Sequence, residues 1–187
     1  MKTLQPALFL DRDGVINENR ANYVRSWADV ELYPQALRAL ALVRDLPYKI
    51  IVVTNQSAVG RGIISLAQAE AINAEIVTAV AQQGGRIDAA YLCPHAPDDN
   101  CDCRKPRPGL LLRAAREHGI DIGRSLMIGD ALTDLAAGQA AGVAQTILLR
   151  TGRGEAQLQL PQAADFVSLT VYDELYQAVT ALIRTTN

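Results

Sequence analysis

The chain has 187 residues, 49% of them hydrophobic, and a formal net charge of -2. That length supports one ordinary core without disulfides, so residues 1–187 are expected to form a single domain, and the near-neutral charge argues against broad nucleic-acid binding. The longest apolar runs, such as Ile50-Ile51-Val52-Val53, are too short to cross a bilayer, and the N-terminus lacks a secretory layout. The expectation is a cytoplasmic protein without membrane or nucleic-acid partners, whose three cysteines stay reduced.

Ala7 to Leu10 reads as a buried strand ending at Asp11, and Asn17 to Tyr33 as a long polar loop. Pro34 suits a first helical turn, and Leu37, Leu40 and Val43 continue at helical spacing. Lys49 to Val53 is continuously apolar and β-branched after its lysine, as in a strand covered on both faces, and stops at Thr54. Ser57 to Ile64, with Gly60 and Gly62, reads as a loop. Ser65 and Gln68 fit a capping box opening a helix that carries Ile72, Ile76 and Val80. Strands follow at Ala89 to Leu92, Leu126 to Ile128 and Thr146 to Leu149, alternating with helices at Pro108 to His118 and Leu132 to Ala141. A last strand is expected at Phe166-Val167 and a closing helix over Val171 to Ile183. Alternation of this kind predicts an α/β fold, a doubly wound parallel sheet whose ligands bind beyond the carboxyl ends of the strands. No inserted segment is long enough for a large cap domain.

Four loaded segments fall at that edge: Asp11-Arg12-Asp13-Gly14, Thr54-Asn55-Gln56-Ser57, Arg104-Lys105-Pro106 and Gly129-Asp130. Taken singly each has a bland reading. Asp13-Gly14 is a common turn, Asp130 an N-cap, Asp134 a first-turn acid, Thr54 a structural hydroxyl and Lys105 a solvated amine. Taken together they equip phosphoryl transfer. Asp11 can attack phosphorus in line and Asp13 can protonate the leaving oxygen, while Thr54 and Lys105 hold the anionic oxygens. Asp130 adds a carboxylate for a hard cation such as Mg2+.

Between β-strand and helix lies a second cluster, Cys93-Pro94-His95 followed by Cys101-Asp102-Cys103. Three thiols and one imidazole in a polar loop form a common closed, tetrahedral Zn2+ set. With no ligand position open, a structural zinc is expected, holding the loop that carries Arg104 and Lys105; a catalytic zinc or a thiol nucleophile is the lesser reading.

Asp11-x-Asp13-Gly14-Val15, Thr54, Lys105 and Gly129-Asp130-x-x-x-Asp134 resemble, in order, the four motifs of the haloacid dehalogenase superfamily of phosphohydrolases. The resemblance implies a Rossmann-like core, an aspartyl-phosphate on Asp11, Asp13 as general acid and base, and Mg2+ held by Asp11, Asp130 and the Asp13 carbonyl. Cys93-Pro94-His95 with Cys101-Asp102-Cys103-Arg104-Lys105-Pro106 is similar to a narrower group that acts on heptose bisphosphates or on histidinol phosphate. Thr54-Asn55-Gln56-Ser57 before Gly60-Arg61-Gly62, Pro106-Arg107-Pro108-Gly109 and Arg150-Thr151-Gly152 favour the heptose branch.

That branch implies loss of a 7-phosphate from a small sugar bisphosphate, with contacts from Asn19, Arg20, Ala21, Asn22, Asn55, Gln56 and Ser57. Arg104, with Arg61 or Arg20, would meet the distal phosphate. Ala131 stands where the group often has lysine, and Asn22 stands where it often has glycine. A monomer is expected, since no heptad seam is visible. The competing readings are histidinol-phosphate hydrolysis and, from another class, a non-catalytic zinc-stapled interaction module.

Overall fold

The computed structural model describes residues 4–166 and 168–186. Six strands, β1 Ala7–Leu10, β2 Lys49–Asn55, β3 Ala89–Cys93, β4 Leu126–Gly129, β5 Gln145–Leu149 and β6 Thr170–Tyr172, form one sheet in the order β3-β2-β1-β4-β5-β6. Every pairing is parallel. The helices are α1 Pro34–Leu42, α2 Ser57–Gly60, α3 Leu66–Gln82, α4 Gly109–His118, α5 Leu132–Ala141, α6 Gly154–Leu158 and α7 Leu175–Thr186.

Strand alternation sorts the core into two layers. Leu8, Leu10, Ile50, Val52 and Ile128 face α1, α3 and α7, packing on Leu40, Ile72, Ile76 and Val179. Ala7, Phe9, Ile51, Val53 and Met127 face α4 and α5, packing on Leu110, Leu111 and Ala137. Helices on both faces bury the central strands, which is why these carry no polar alternation. The winding direction reverses between β1 and β4, and Asp11 N–H donates to the Ile128 carbonyl there at 3.0 Å. A crevice opens beyond that point, between the loops that follow the two strands.

The expected boundaries hold for α5, and α3 carries the expected capping box in both directions, Ser65 Oγ accepting from Gln68 N–H and Gln68 Oε1 from Ser65 N–H. Four readings are corrected. The loop from Ser57 to Ile64 opens with the single turn α2, and β2 runs on through Thr54 to Asn55 because β3 pairs with it to the end, Asn55 opposite Cys93. Phe166 ends a short 3-10 turn rather than starting a strand, and Val167 lies outside the described residues. The β-branched and aromatic triplet Thr170-Val171-Tyr172 pairs with β5 instead, so α7 begins only after Asp173, whose N–H and carboxylate are matched by the Gln177 amide. Among the described residues, the β1–α1 and β3–α4 connections hold only a 3-10 turn each, and no cap domain intervenes.

Candidate active site

At the switch point the end of β1 delivers Asp11 and the end of β4 delivers Asp130. Gly14 lets them converge: its φ is +87°, and a Cβ there would sit 2.1 Å from Asp130 Oδ2. Gly129 has the same task toward Asp134, whose Oδ2 would lie 2.2 Å from an added Cβ. Asp11, Asp130 and Asp134 are all buried, and oxygens from the three lie within 4.8 Å of one another. Lys105 enters from the loop before α4, and its Nζ stands 2.9 Å from Asp11 Oδ1 and 2.6 Å from Asp134 Oδ1, donating also to the Val53 carbonyl at 2.7 Å. Asp134 accepts from Ala131 N–H as well, so it both caps α5 and anchors Lys105.

Asp11 and Asp134 share the buried Lys105 ammonium, and Asp130 is paired with the Arg153 guanidinium, so the three carboxylates still outnumber the two cations. Burial is the main reason the Asp11 pKa rises from 3.8 to about 7; Lys105 opposes the rise, and Asp134, Asp130 and Asp13 add to it. Hard oxygen donors short of positive charge suit a divalent cation that keeps waters, so the residues fit Mg2+. Because that binding requires the ionised carboxylate, Mg2+ titrated into the metal-free protein at pH 7 should displace about half a proton from Asp11. Calorimetry in buffers of different ionisation heat would measure the release, which should vanish about two pH units higher.

Asp13 has a different setting. Its carboxylate takes Arg12 Nη2 at 3.0 and 2.9 Å, Arg12 Nε at 3.2 Å, Asn17 Nδ2 at 2.8 Å and Gln56 Nε2 at 2.8 Å. Burial works to raise its pKa, but Arg12 and the two amides outweigh burial and hold it below the usual value. Gln56 Nε2 also donates to Thr54 Oγ1 at 2.8 Å. That bond occupies an acceptor position on the hydroxyl and leaves its own hydrogen to point elsewhere.

Asp11, Asp13, Thr54, Lys105 and Asp134 line one cavity of about 780 Å3 with Asn19, Arg20, Ala21, Asn55, Gln56, Ser57 and Arg104. Asn22 and Arg61 are exposed and lie outside that lining. Several of the expected substrate contacts are engaged with the protein instead. Gln56 orients Asp13 and Thr54, and Asn55 grips the Lys105 backbone in both directions, donating to its carbonyl at 3.0 Å and accepting from its N–H at 3.1 Å. Arg20 pairs with Glu31 and the Asp29 carbonyl, and Asn19 donates to Asp130 at 3.2 Å.

The sequence reading gave no role to Arg12 or Arg153, while Arg107, read as part of a basic run, does line the cavity. Arg153 N–H donates to Asp130 Oδ2 at 2.8 Å, and its guanidinium stands 3.2 Å from Oδ1 while lining the cavity. The only sequence signal for Arg12 was an arginine placed between two carboxylates at a strand end.

The second cluster closes the loop after β3. Cys93 Sγ lies 3.2 Å from Cys103 Sγ and 3.5 Å from Cys101 Sγ, and His95 Nδ1 lies 3.5 and 3.3 Å from Cys93 and Cys103. Cys101 and Cys103 are 3.5 Å apart. These separations are far beyond a disulfide bond. They are edges of a tetrahedron with a centre roughly 2.1 Å from each donor, close to zinc–ligand distances. The four donors fit a zinc ion, and Cys101 and Arg104 of the same loop line the cavity.

A parallel α/β sheet with an acid pair, a third carboxylate and a buried lysine at its switch point defines a haloacid dehalogenase-type hydrolase. Residues 102–174 match the family described as HAD-hyrolase-like. A D-glycero-beta-D-manno-heptose-1,7-bisphosphate 7-phosphatase of Pseudomonas aeruginosa is 36% identical over 95% of this chain and 97% of its own length. The enzyme of that name from Helicobacter pylori strain J99 is 42% identical over 80% of this chain and 86% of its own. A crystal structure of the D,D-heptose 1,7-bisphosphate phosphatase of B. bronchiseptica with magnesium and phosphate superposes with a TM-score of 0.87 at 34% identity, covering 96% of this chain and 99% of that one. The chain belongs to this phosphatase family within the haloacid dehalogenase-like hydrolases.

Proposed function

We propose that this protein is an Mg2+-dependent phosphatase that removes the 7-phosphate of D-glycero-D-manno-heptose 1,7-bisphosphate, in the making of nucleotide-activated heptose. The observation that carries the chemistry is the convergence of Asp11, Asp130 and Asp134 with Lys105 Nζ at one strand edge. The family supports the substrate, and the four arginines of the cavity suit a second phosphate. The protein is taken to act as a cytoplasmic monomer; among the described residues no helix is long and apolar enough to cross a membrane.

In this reading an Asp11 oxygen attacks phosphorus, the P–O bond to the sugar breaks, and Asp13 gives its proton to the departing alkoxide. Mg2+, held by Asp11, Asp130 and the Asp13 carbonyl, would offset the charge of the phosphate oxygens. Lys105 stays in place as Asp11 becomes an acyl phosphate, because Asp134 and the Val53 carbonyl still hold it. Its ammonium then faces the phosphoryl oxygens, beside the Thr54 hydroxyl hydrogen that Gln56 leaves unused. Asp13 rests as a carboxylate under Arg12. An arriving phosphate dianion, a like charge in a desolvated site, pushes it toward the protonated form that donates. Once ionised again, it takes a proton from the water that attacks the acyl phosphate and releases Asp11.

Phosphate release across both heptose 1,7-bisphosphate anomers, fructose 1,6-bisphosphate and histidinol phosphate tests the assignment. The heptose bisphosphate should have the highest kcat/KM, by at least about tenfold. Preference for histidinol phosphate would move the protein to the other branch of the group.

A further inference from the structure

We infer that Asn73, on α3 and outside the cavity that holds the chemistry, is a positioning residue for the general acid. The inference rests on the phosphatase reading above and adds a residue to it. Arg12 is 1% exposed, so nearly the whole guanidinium lies away from water. A buried guanidinium needs its N–H groups matched and its charge countered. Asp13 takes Nε and Nη2. The remaining nitrogen, Nη1, donates to Asn73 Oδ1 at 2.9 Å. Asn73 is itself 6% exposed, so α3 supplies a fixed, neutral acceptor on the side of Arg12 away from Asp13.

The geometry gives this contact a consequence at the active site. A guanidinium is a rigid plane, and its double grip on both Asp13 oxygens fixes the plane of that carboxylate. Asn73 pins the opposite edge of the same plane. Asn17 and Gln56 add one amide each, to Oδ1 and to Oδ2, and the rigid guanidinium grips the same two oxygens from a third side. The angle at which Asp13 meets the leaving oxygen is therefore set in part from α3. Proton transfer in the transition state is sensitive to that angle, and attack by Asp11 is not.

Asn73 also lines a second hollow, of about 720 Å3, with Ala74, Val77, Ala90 and Leu92 between α3 and the edge strand β3. Shortening its side chain opens a path for water from that hollow to Nη1. Water can satisfy the nitrogen but holds no fixed direction, so Asn73→Ala should fold and yet leave Arg12 free to tilt.

Two substrates separate the roles. Sugar phosphates lose an alkoxide and need the acid, whereas p-nitrophenyl phosphate loses a stable phenolate and does not. Since kcat/KM reports formation of the phosphoenzyme, Asn73→Ala should lower it by about tenfold for the heptose bisphosphate and by less than about twofold for the aryl phosphate. Asn73→Asp, which keeps the acceptor, should bring the sugar phosphate back to within about threefold of the parent. Equal losses on both substrates, or an unchanged ratio in an active protein, would overturn the inference alone. An unsubstituted protein inactive on both would overturn the phosphatase reading and this inference with it.

Discussion

Asp11→Asn should abolish turnover, by about 10^4-fold or more, while the metal-free fold becomes more stable. The amide keeps the size of the side chain but cannot attack phosphorus, so no phosphoenzyme forms. Stability moves the other way for an electrostatic reason. Burial, reinforced by Asp134, Asp130 and Asp13 against Lys105, raises the Asp11 pKa from 3.8 to about 7. The folded chain therefore binds a proton more tightly than the unfolded chain. Between those two values stability falls as pH rises, and above about 7 the ionised carboxylate costs the metal-free fold a few kcal/mol. An asparagine carries no such cost, and Lys105 keeps its ion pair with Asp134. At pH 8 the metal-free variant should melt several degrees above the parent, a gain that should shrink as pH falls toward 4. Thermal melts across that range, with phosphate release at saturating Mg2+, check both halves. Residual hydrolysis near the parent rate would remove Asp11 as nucleophile, and a lower melting temperature would remove the account of its burial.

The same residue shows why so much of this site could be read from the chain. Asp11, Asp13, Thr54 and Asp130 each stand where an apolar strand ends, and a doubly wound sheet brings its strand ends to one edge. Topology thus did most of the assembly, and the cysteine and histidine spacing was legible because ligands for one ion must be near in sequence or joined by a tight loop. What stayed hidden depends on side-chain direction or distant packing. Gln56 looked like a substrate contact until its amide was found spent on Asp13 and Thr54. Asn73 carries no signal of its own in the sequence, since nothing local says that it meets an arginine after β1. Arg153 comes just after Arg150-Thr151-Gly152 but was not itself part of that motif, and its bond to Asp130 exists only because β4 and β5 are neighbours. The β6 and α7 boundary was misplaced because Val171 and Tyr172 can continue an apolar helical stripe as well as a strand, and only pairing with β5 decides.

Removing zinc should damage recognition of the bisphosphate far more than phosphoryl transfer itself. The loop from Pro94 to Arg104 supplies a wall of the cavity through Pro97, Asn100, Cys101 and Arg104. The hydrogen bonds that tie it are few: Ala96 N–H to the Asp99 carboxylate at 2.7 Å, Asp99 N–H to the Ala96 carbonyl at 3.2 Å, Arg104 Nη1 to the His95 carbonyl at 3.1 Å, and Arg107 Nη1 to the Asn100 and Cys101 carbonyls at 2.8 Å. Hydrogen bonds of that kind contribute about 1 kcal/mol each, against an apparent 10 kcal/mol or more, roughly, for a structural zinc ion. Zinc at Cys93, His95, Cys101 and Cys103 therefore dominates the order of this wall. Lys105 is secured separately, by Asn55 at its backbone and by Val53, Asp11 and Asp134 at its ammonium. Chelation, or Cys101→Ser, should raise KM for the bisphosphate about tenfold or more, because Arg104 loses its fixed direction. Turnover of a small aryl phosphate should change by less than about threefold. The melting temperature should fall by about 5 °C or more, and metal analysis of freshly reduced parent protein should find zinc. A zinc-free protein with unaltered KM and melting temperature would show that the loop holds itself. Equal loss on both substrates would show that Lys105, despite its own ties, depends on the ion as well.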